Sequence, residues 1–182
     1  MFADDYNKIS HEYETSWFNG EATTSQEIIK FLSPYAKGTV LDIGSGTGFL
    51  LDYIDIHSDH YLGIDPSEGM TKMLKLKHPN HKVLISTVKE QQIETFDLVV
   101  ALHGSADYLT KEEILSAAKS PNCFLMFCRP TTIAICHSEK IREHIYNNVD
   151  WRFLLSTFLH VFTSKDGYVI ATNIEGAIKC LS

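Results

Sequence analysis

The sequence predicts an α/β fold, a three-layer sandwich in which a mostly parallel sheet carries helices on both faces and ends in an antiparallel hairpin. Two patterns predict it. Between residues 39 and 150, short apolar runs rich in branched residues alternate with longer amphipathic ones, the order of right-handed βαβ units. After them, "STFLHVFTSKDGYVIATNI" sets two β-rich runs about a turn, with Gly167 placed for positive φ.

Along the chain, Tyr6, Ile9, Tyr13 and Trp17 recur at three- and four-residue spacing, one face of a helix over 3–17. "TSQEIIKFLSPYAKG" reads as a second helix, capped by Thr24 or Ser25, with Ile28, Ile29 and Leu32 inward and Pro34 and Gly38 ending it. Strands follow at "TVLDIG", "YLGID", "KVLIST", "FDLVVALHG" and "CFLMFCR". The helices between and after them are "TGFLLDYIDI", "SEGMTKMLKLKHP", "TKEEILSAAKS" and "SEKIREHIYNNV". Met70, Met73, Leu74 and Lys77 share one side of the second of these, and Thr110 with Glu113 forms a reciprocal capping pair on the third.

At 182 residues, 44% hydrophobic and 21% charged, the chain has the size and composition of a single globular domain, 1–182. Its net charge is -7 and its sixteen Lys and Arg residues are scattered, which argues against nucleic acid as a partner. No apolar run approaches the roughly 20 residues that cross a bilayer. The segment "MFADDYNKISHEYE" lacks the basic start and apolar stretch of a signal peptide, so a cytoplasmic location without membrane contact is expected. Cys123 and Cys128 fall within an apolar run, as reduced structural thiols do, and with Cys136 and Cys180 they match no zinc spacing. No HxH, HxxxH or acidic pair stands at a strand end, so no metal is expected.

The chemistry concentrates in "VLDIGSGTGFLLDYI", residues 40–54, at the first strand-to-helix turn. In an open parallel sheet, ligands bind beyond the carboxyl ends of the strands, and that turn is the usual nucleotide cradle. Gly44, Gly46 and Gly48 permit a tight turn and a close approach by a ligand; either use is compatible with the glycines alone. Asp65 ends the second strand twenty-one residues after Gly44, where a carboxylate can accept from both hydroxyls of a ribose. The spacing is G-x-G-x-G rather than G-x-G-x-x-G, and Asp42 precedes it; a carboxylate there would repel a pyrophosphate and suits a ligand carrying an ammonium group.

"VLDIGSGTGFL" followed by "YLGIDPSEGM" strongly resembles the class I S-adenosylmethionine-dependent methyltransferases, over nearly the whole chain. The resemblance implies a Rossmann-like, seven-stranded sheet with its last strand antiparallel, an N-terminal helical lid over 1–35 and a cofactor-binding core over 36–182. It implies that Gly44, Ser45, Gly46 and Gly48 wrap the methionine part of S-adenosyl-L-methionine, and that Asp42 holds the loop or reaches the amino group through water. Asp65 would bind the ribose, while Pro66, Ser67 and Met70 pack on the adenine. Leu102 would offer its carbonyl to the methionine amino group, His103 to Ser105 would border the methyl, and Tyr6 and Tyr13 would close the site. Many relatives place an acidic residue after the third strand to bond the adenine amino group; this chain has Ser86, Thr87 and Val88 there, so hydroxyls or backbone would make that contact.

Methyl transfer from a sulfonium needs alignment more than acid–base groups, so the acceptor leaves few marks. "ALHGS" lacks the aromatic and proline tetrapeptide of the enzymes that methylate adenine or glutamine nitrogens, and no Pro-Cys pair offers a nucleophile. "LHGSADYL" looks like the segment of small-molecule N- and O-methyltransferases. The expected acceptor is therefore a small molecule, with a catalytically weak or inactive S-adenosylmethionine-binding regulatory module, or a protein methyltransferase, as alternatives. His103 is the candidate base or a wall of the pocket; Tyr6, Ser105 and His160 are candidates for the acceptor side, His160 alternatively lying in the core. The stripe of Tyr6, Tyr13, Trp17 and Phe18 is either core or a lid suited to flat or cationic acceptors. Monomer and homodimer both remain open.

Overall fold

The computed structural model describes residues 3–13, 15, 23–128, 150–165 and 167–181. Two helices, α1 (Ala3–Ile9) and α2 (Thr23–Leu32), precede β1 (Val40–Ile43), α3 (Phe49–Tyr53), β2 (Tyr61–Asp65), α4 (Glu68–Lys77) and β3 (Lys82–Ile85). Then come β4 (Leu98–Ala101), α5 (Lys111–Ala117), β5 (Asn122–Phe127), α6 (Trp151–Thr157), β6 (His160–Thr163), β7 (Val169–Thr172) and α7 (Ala177–Leu181). The seven strands form one sheet in the order β3-β2-β1-β4-β5-β7-β6. The pairs from β3 to β5 are parallel, and β7 runs antiparallel to both β5 and β6.

Strand alternation builds the three layers, because successive side chains point to opposite faces. Val40, Leu98, Val100, Phe124 and Met126 pack with Ile28 and Leu32 of α2, Leu50 of α3 and Leu74 of α4. Leu41, Ile43, Val99, Ala101, Cys123 and Leu125 pack on the other face with Ile114 of α5 and Leu154 of α6. The central strands are buried on both faces and read as continuous apolar runs for that reason.

Local sequence chemistry sets the element ends. Thr110 and Glu113 make the full capping box, and Ser67 caps α4 by accepting from the Met70 amide. Gly167 takes φ 89° in the hairpin turn. Two expected boundaries shift. The first α-helix stops at Ile9, a turn follows over 10–12, and Tyr13 and Thr15 then lie in π-helical backbone. The second begins at Thr23, which puts Ser25 inside it, its hydroxyl engaged with His103 rather than capping. The helix expected over 138–149, and Trp17, Phe18 and His137, lie outside the described residues. No helix among the described residues is long and apolar enough to cross a membrane.

Candidate functional site

The site lies at the carboxyl ends of β1, β2 and β4, where the chain leaves β1 through three left-handed glycines. Gly44, Gly46 and Gly48 have φ of 65°, 54° and 100°, conformations that L side chains rarely adopt. Their roles differ. A Cβ on Gly44 would strike the Ser105 side chain, whose hydroxyl donates to the Gly44 carbonyl at 3.1 Å and ties the loop after β4 to the loop after β1. A Cβ on Gly46 would meet nothing nearer than a carbonyl at 3.9 Å, because that side of the loop faces the open cleft. A Cβ on Gly48 would press on Leu74 and His78 at 3.0–3.1 Å, so this third glycine lets α3 approach α4 and lines no part of the cleft.

Asp65 grips the loop from β2. One carboxylate oxygen accepts from the Gly46 amide at 2.9 Å and the other from the Ser67 amide at 2.8 Å. Each oxygen keeps an acceptor position for a ligand hydroxyl. Burial pushes the Asp65 carboxyl up to about 6, against the pull of those two amides. Asp42, on β1 beneath the loop, accepts from the Tyr61 hydroxyl at 2.9 Å, and burial pushes it up to about 7.

The loop divides one cleft into two lobes of about 310 Å³ each, which share Tyr13, Gly44, Gly46, His103 and Ser105. The first is lined by Asp42, Ser45, Thr47, Phe49 and Leu102. The second is lined by Tyr6, Asp65, Pro66, Ser67, Met70, Ser86, Thr87 and Val88. Both lobes draw acidic residues into their walls, and neither is lined by Lys or Arg among the described residues. Such a lining favours a cationic ligand.

His103 sits between the lobes at φ 48°, the one described non-glycine residue with positive φ. Its neighbours hold it there: Gly104 donates to the Met126 carbonyl and Ser105 to the Leu102 carbonyl, at 3.1 and 3.0 Å. Its Nε2 lies 3.2 Å from Ser25 Oγ, and its ring meets Phe49 edge-on with centroids 4.4 Å apart. Burial lowers its pKa to about 3, so the imidazole is neutral at ordinary pH.

The N-terminal helix closes the second lobe. Asn7 Oδ1 accepts from the Ser67 hydroxyl at 2.7 Å and the Gly69 amide at 2.8 Å, docking α1 on the head of α4. Tyr6 then reaches Tyr108, with hydroxyls 3.0 Å apart, and meets Tyr13 edge-on. Every expected site residue except Gly48 and His160 therefore lines the cleft. His160 opens β6, the far edge strand, level with Thr172 and the start of β5, at the end of the sheet away from the site. Its place in "TFLHVF" fixes a strand and says nothing of which edge that strand occupies. Asn7, Ser25, Phe49 and Tyr108 are contributors that sequence reasoning missed, although Phe49 lay within "VLDIGSGTGFLLDYI" and Tyr108 within "LHGSADYL", stretches already singled out for chemistry.

Residues 40–121, from β1 to the turn after α5, match the family model of the methyltransferase domain. Over that stretch the chain is similar to methyltransferase domains. An uncharacterized methyltransferase of Alkaliphilus oremlandii is 26% identical to it over 149 residues, which are 80% of this chain and 65% of that protein. A crystal structure of the plantazolicin methyltransferase BpumL with a monoazolic desmethylPZN analog and SAH superposes with TM-score 0.55 at 19% identity, over 81% of this chain and 64% of that one. A TehB-like SAM-dependent methyltransferase from Corynebacterium glutamicum gives TM-score 0.53 at 14% identity, over 93% and 96%. At these identities the likeness is one of fold alone. The chain spans about two thirds of the length of the first two proteins.

Proposed function

We propose that the protein transfers a methyl group from S-adenosyl-L-methionine to a nitrogen or oxygen of a small molecule. The observation that carries this is the Asp65 grip on Gly46: a carboxylate with spare acceptor positions beside a left-handed glycine whose Cβ side opens onto the cleft. The donor set fits the cofactor. Asp65 would take the ribose hydroxyls, and the Gly44–Gly46 backbone with Ser45 would lie along the methionine part. Asp42 and the Leu102 carbonyl would face its ammonium group. Pro66, Ser67, Met70 and Val88 would hold the adenine, with Thr87 at its edge.

When bound, the cofactor would supply a methyl carbon already activated on a sulfonium, which an acceptor lone pair could take as the C–S bond breaks and the neutral thioether leaves, without help from an acid. The residues of the chain align and enclose. Tyr13 at the junction of the lobes, with Tyr6 and Tyr108 over the second lobe, would exclude water, and His103 with Ser105 would form the wall beside the acceptor. A neutral histidine whose Nε2 already has a hydroxyl partner is suited to orienting an acceptor rather than to taking its proton. The small-molecule reading draws on the net charge of -7 and on the tyrosine-covered cleft.

Calorimetry with S-adenosylmethionine and S-adenosylhomocysteine, followed by incubation of labelled cofactor with metabolite fractions, tests the proposal. Micromolar binding and label in a small molecule are expected. Binding without transfer would favour a regulatory module, label in protein a protein methyltransferase, and no binding would sink all three.

A further inference from the structure

In the second lobe, the Ser86 hydroxyl links Glu90 and Gln91 in a hydrogen-bonded chain. Ser86 is 9% exposed and lines the cavity. Its hydroxyl donates to Glu90 Oε2 at 2.6 Å, the short distance typical of a bond to a carboxylate, with the Thr87 carbonyl a longer alternative at 3.3 Å. Gln91 Nε2 donates to the same hydroxyl oxygen at 2.9 Å. A serine hydroxyl has one hydrogen and two acceptor lone pairs. The hydrogen is spent on either acceptor and one lone pair on the Gln91 amide. What remains on this cavity-lining side chain is a lone pair that can accept and cannot donate.

Much of the other polar lining of this lobe is committed. The Ser67 hydroxyl donates to Asn7 and accepts from the Met70 amide. Glu113 accepts from the Thr110 amide, and Asp65 holds Gly46 and Ser67. Ile64, Met70, Val88 and Leu109 supply apolar walls for a flat ring.

We propose that Ser86 reads the purine edge of the nucleoside as an obligate acceptor, fixed in that role by Glu90 and Gln91, so that the site takes an exocyclic amino group and rejects a ring carbonyl at the same position. The inference rests on the nucleoside reading of this lobe. Glu90 is the positioning residue; it is exposed and works through Ser86, in place of an acidic side chain touching the base. A carbonyl facing a lone pair with no hydrogen to share leaves two acceptors opposed and desolvated, which is how a polar site discriminates strongly.

Titration of the full chain with S-adenosylhomocysteine and with its 6-oxo analogue S-inosylhomocysteine tests this. The wild type is expected to prefer the amino form by roughly tenfold or more. Glu90→Gln, whose amide carbonyl still accepts the Ser86 hydrogen, keeps the preference. Glu90→Leu frees that hydrogen to meet the oxo group and narrows the ratio, chiefly by strengthening the oxo ligand, and Ser86→Ala narrows it by weakening the amino ligand. Binding of the amino form without discrimination, or a ratio unchanged in both Glu90→Leu and Ser86→Ala, overturns the inference and leaves the nucleoside reading standing. Failure of the wild type to bind either ligand overturns both.

Discussion

The Asp65 carboxylate accepts the Gly46 amide at 2.9 Å across nineteen residues of chain, so the acid that ends the second strand also fixes the loop that follows the first. Loop shape and ligand contact thereby depend on one side chain. Asp65→Ala is expected to weaken S-adenosylhomocysteine binding by tenfold or more, since hydrogen bonds to a charged group contribute roughly 1.5–3 kcal/mol each. Calorimetry checks this, and an unchanged affinity would show that the ribose lies elsewhere.

The same burial makes binding pH-dependent. Asp65 and Asp42 hold their protons up to about 6 and 7, both because burial disfavours the charged form. A cationic ligand favours the carboxylates, so binding lowers both pKa values and expels protons. Affinity for S-adenosylmethionine should climb as pH rises from 5 to 7 and level off above that. Titrations at pH 6.5 in two buffers of different ionisation heat should show proton release; none would mean that the carboxyls are ionised before the ligand arrives.

The glycines separate affinity from stability. Gly46→Ala points a methyl into the cleft and should cost binding at least fivefold, with about 1 kcal/mol of backbone strain. Gly48→Ala carries comparable strain and presses on Leu74 and His78, so it should lower the melting temperature more and affinity less. Thermal melts run beside ligand titrations decide it; identical profiles for the two variants would contradict the division of roles.

Asn7 decides whether the N-terminal helix stays down. Asn7→Ala removes the acceptor for the Ser67 hydroxyl and the Gly69 amide, and α1 contributes no fully buried residue to hold it otherwise. Faster hydrogen exchange through residues 3–9 and severalfold weaker cofactor binding are expected. Unaltered exchange there would show that aromatic contacts alone secure the helix.

His103 tests the mechanism. A general base usually contributes 10²–10⁴ in rate, whereas an orienting wall residue contributes far less. With its pKa lowered to about 3, His103 should give no inflection in kcat/KM near the usual imidazole pH. His103→Gln, once an acceptor is known, should retain activity within about tenfold. A loss of several hundredfold would restore the base.

Much of this was legible because the signals are local. The βαβ alternation, the Thr110–Glu113 capping pair and the Gly167 turn each depend on residues a few positions apart, and each recurs in the structure as expected. The places of Asp42 and Asp65 were legible too, one inside β1 and the other at the end of β2, since the apolar strand runs are themselves the signal. Ser25 was misread because a serine near a helix start reads as a cap, and its hydroxyl partner is seventy-eight residues away. Whether His160 faced the pocket or the core could not be read, because strand order is not written in strand sequence: β7 inserts beside β5 and β6 takes the edge, away from the cleft.

By itself the sequence determined the layered α/β fold, the position of the glycine loop and the two acids that make it a candidate cradle, because periodicity, turn chemistry and motif spacing act over short stretches of chain. Only the tertiary structure decided which glycine faces the cleft and which packs against α4. It also decided that Asn7 latches the N-terminal helix, that His103 is neutral, and that Ser86 has a carboxylate behind it. Those depend on desolvation and on hydrogen bonds between elements, which no local pattern records.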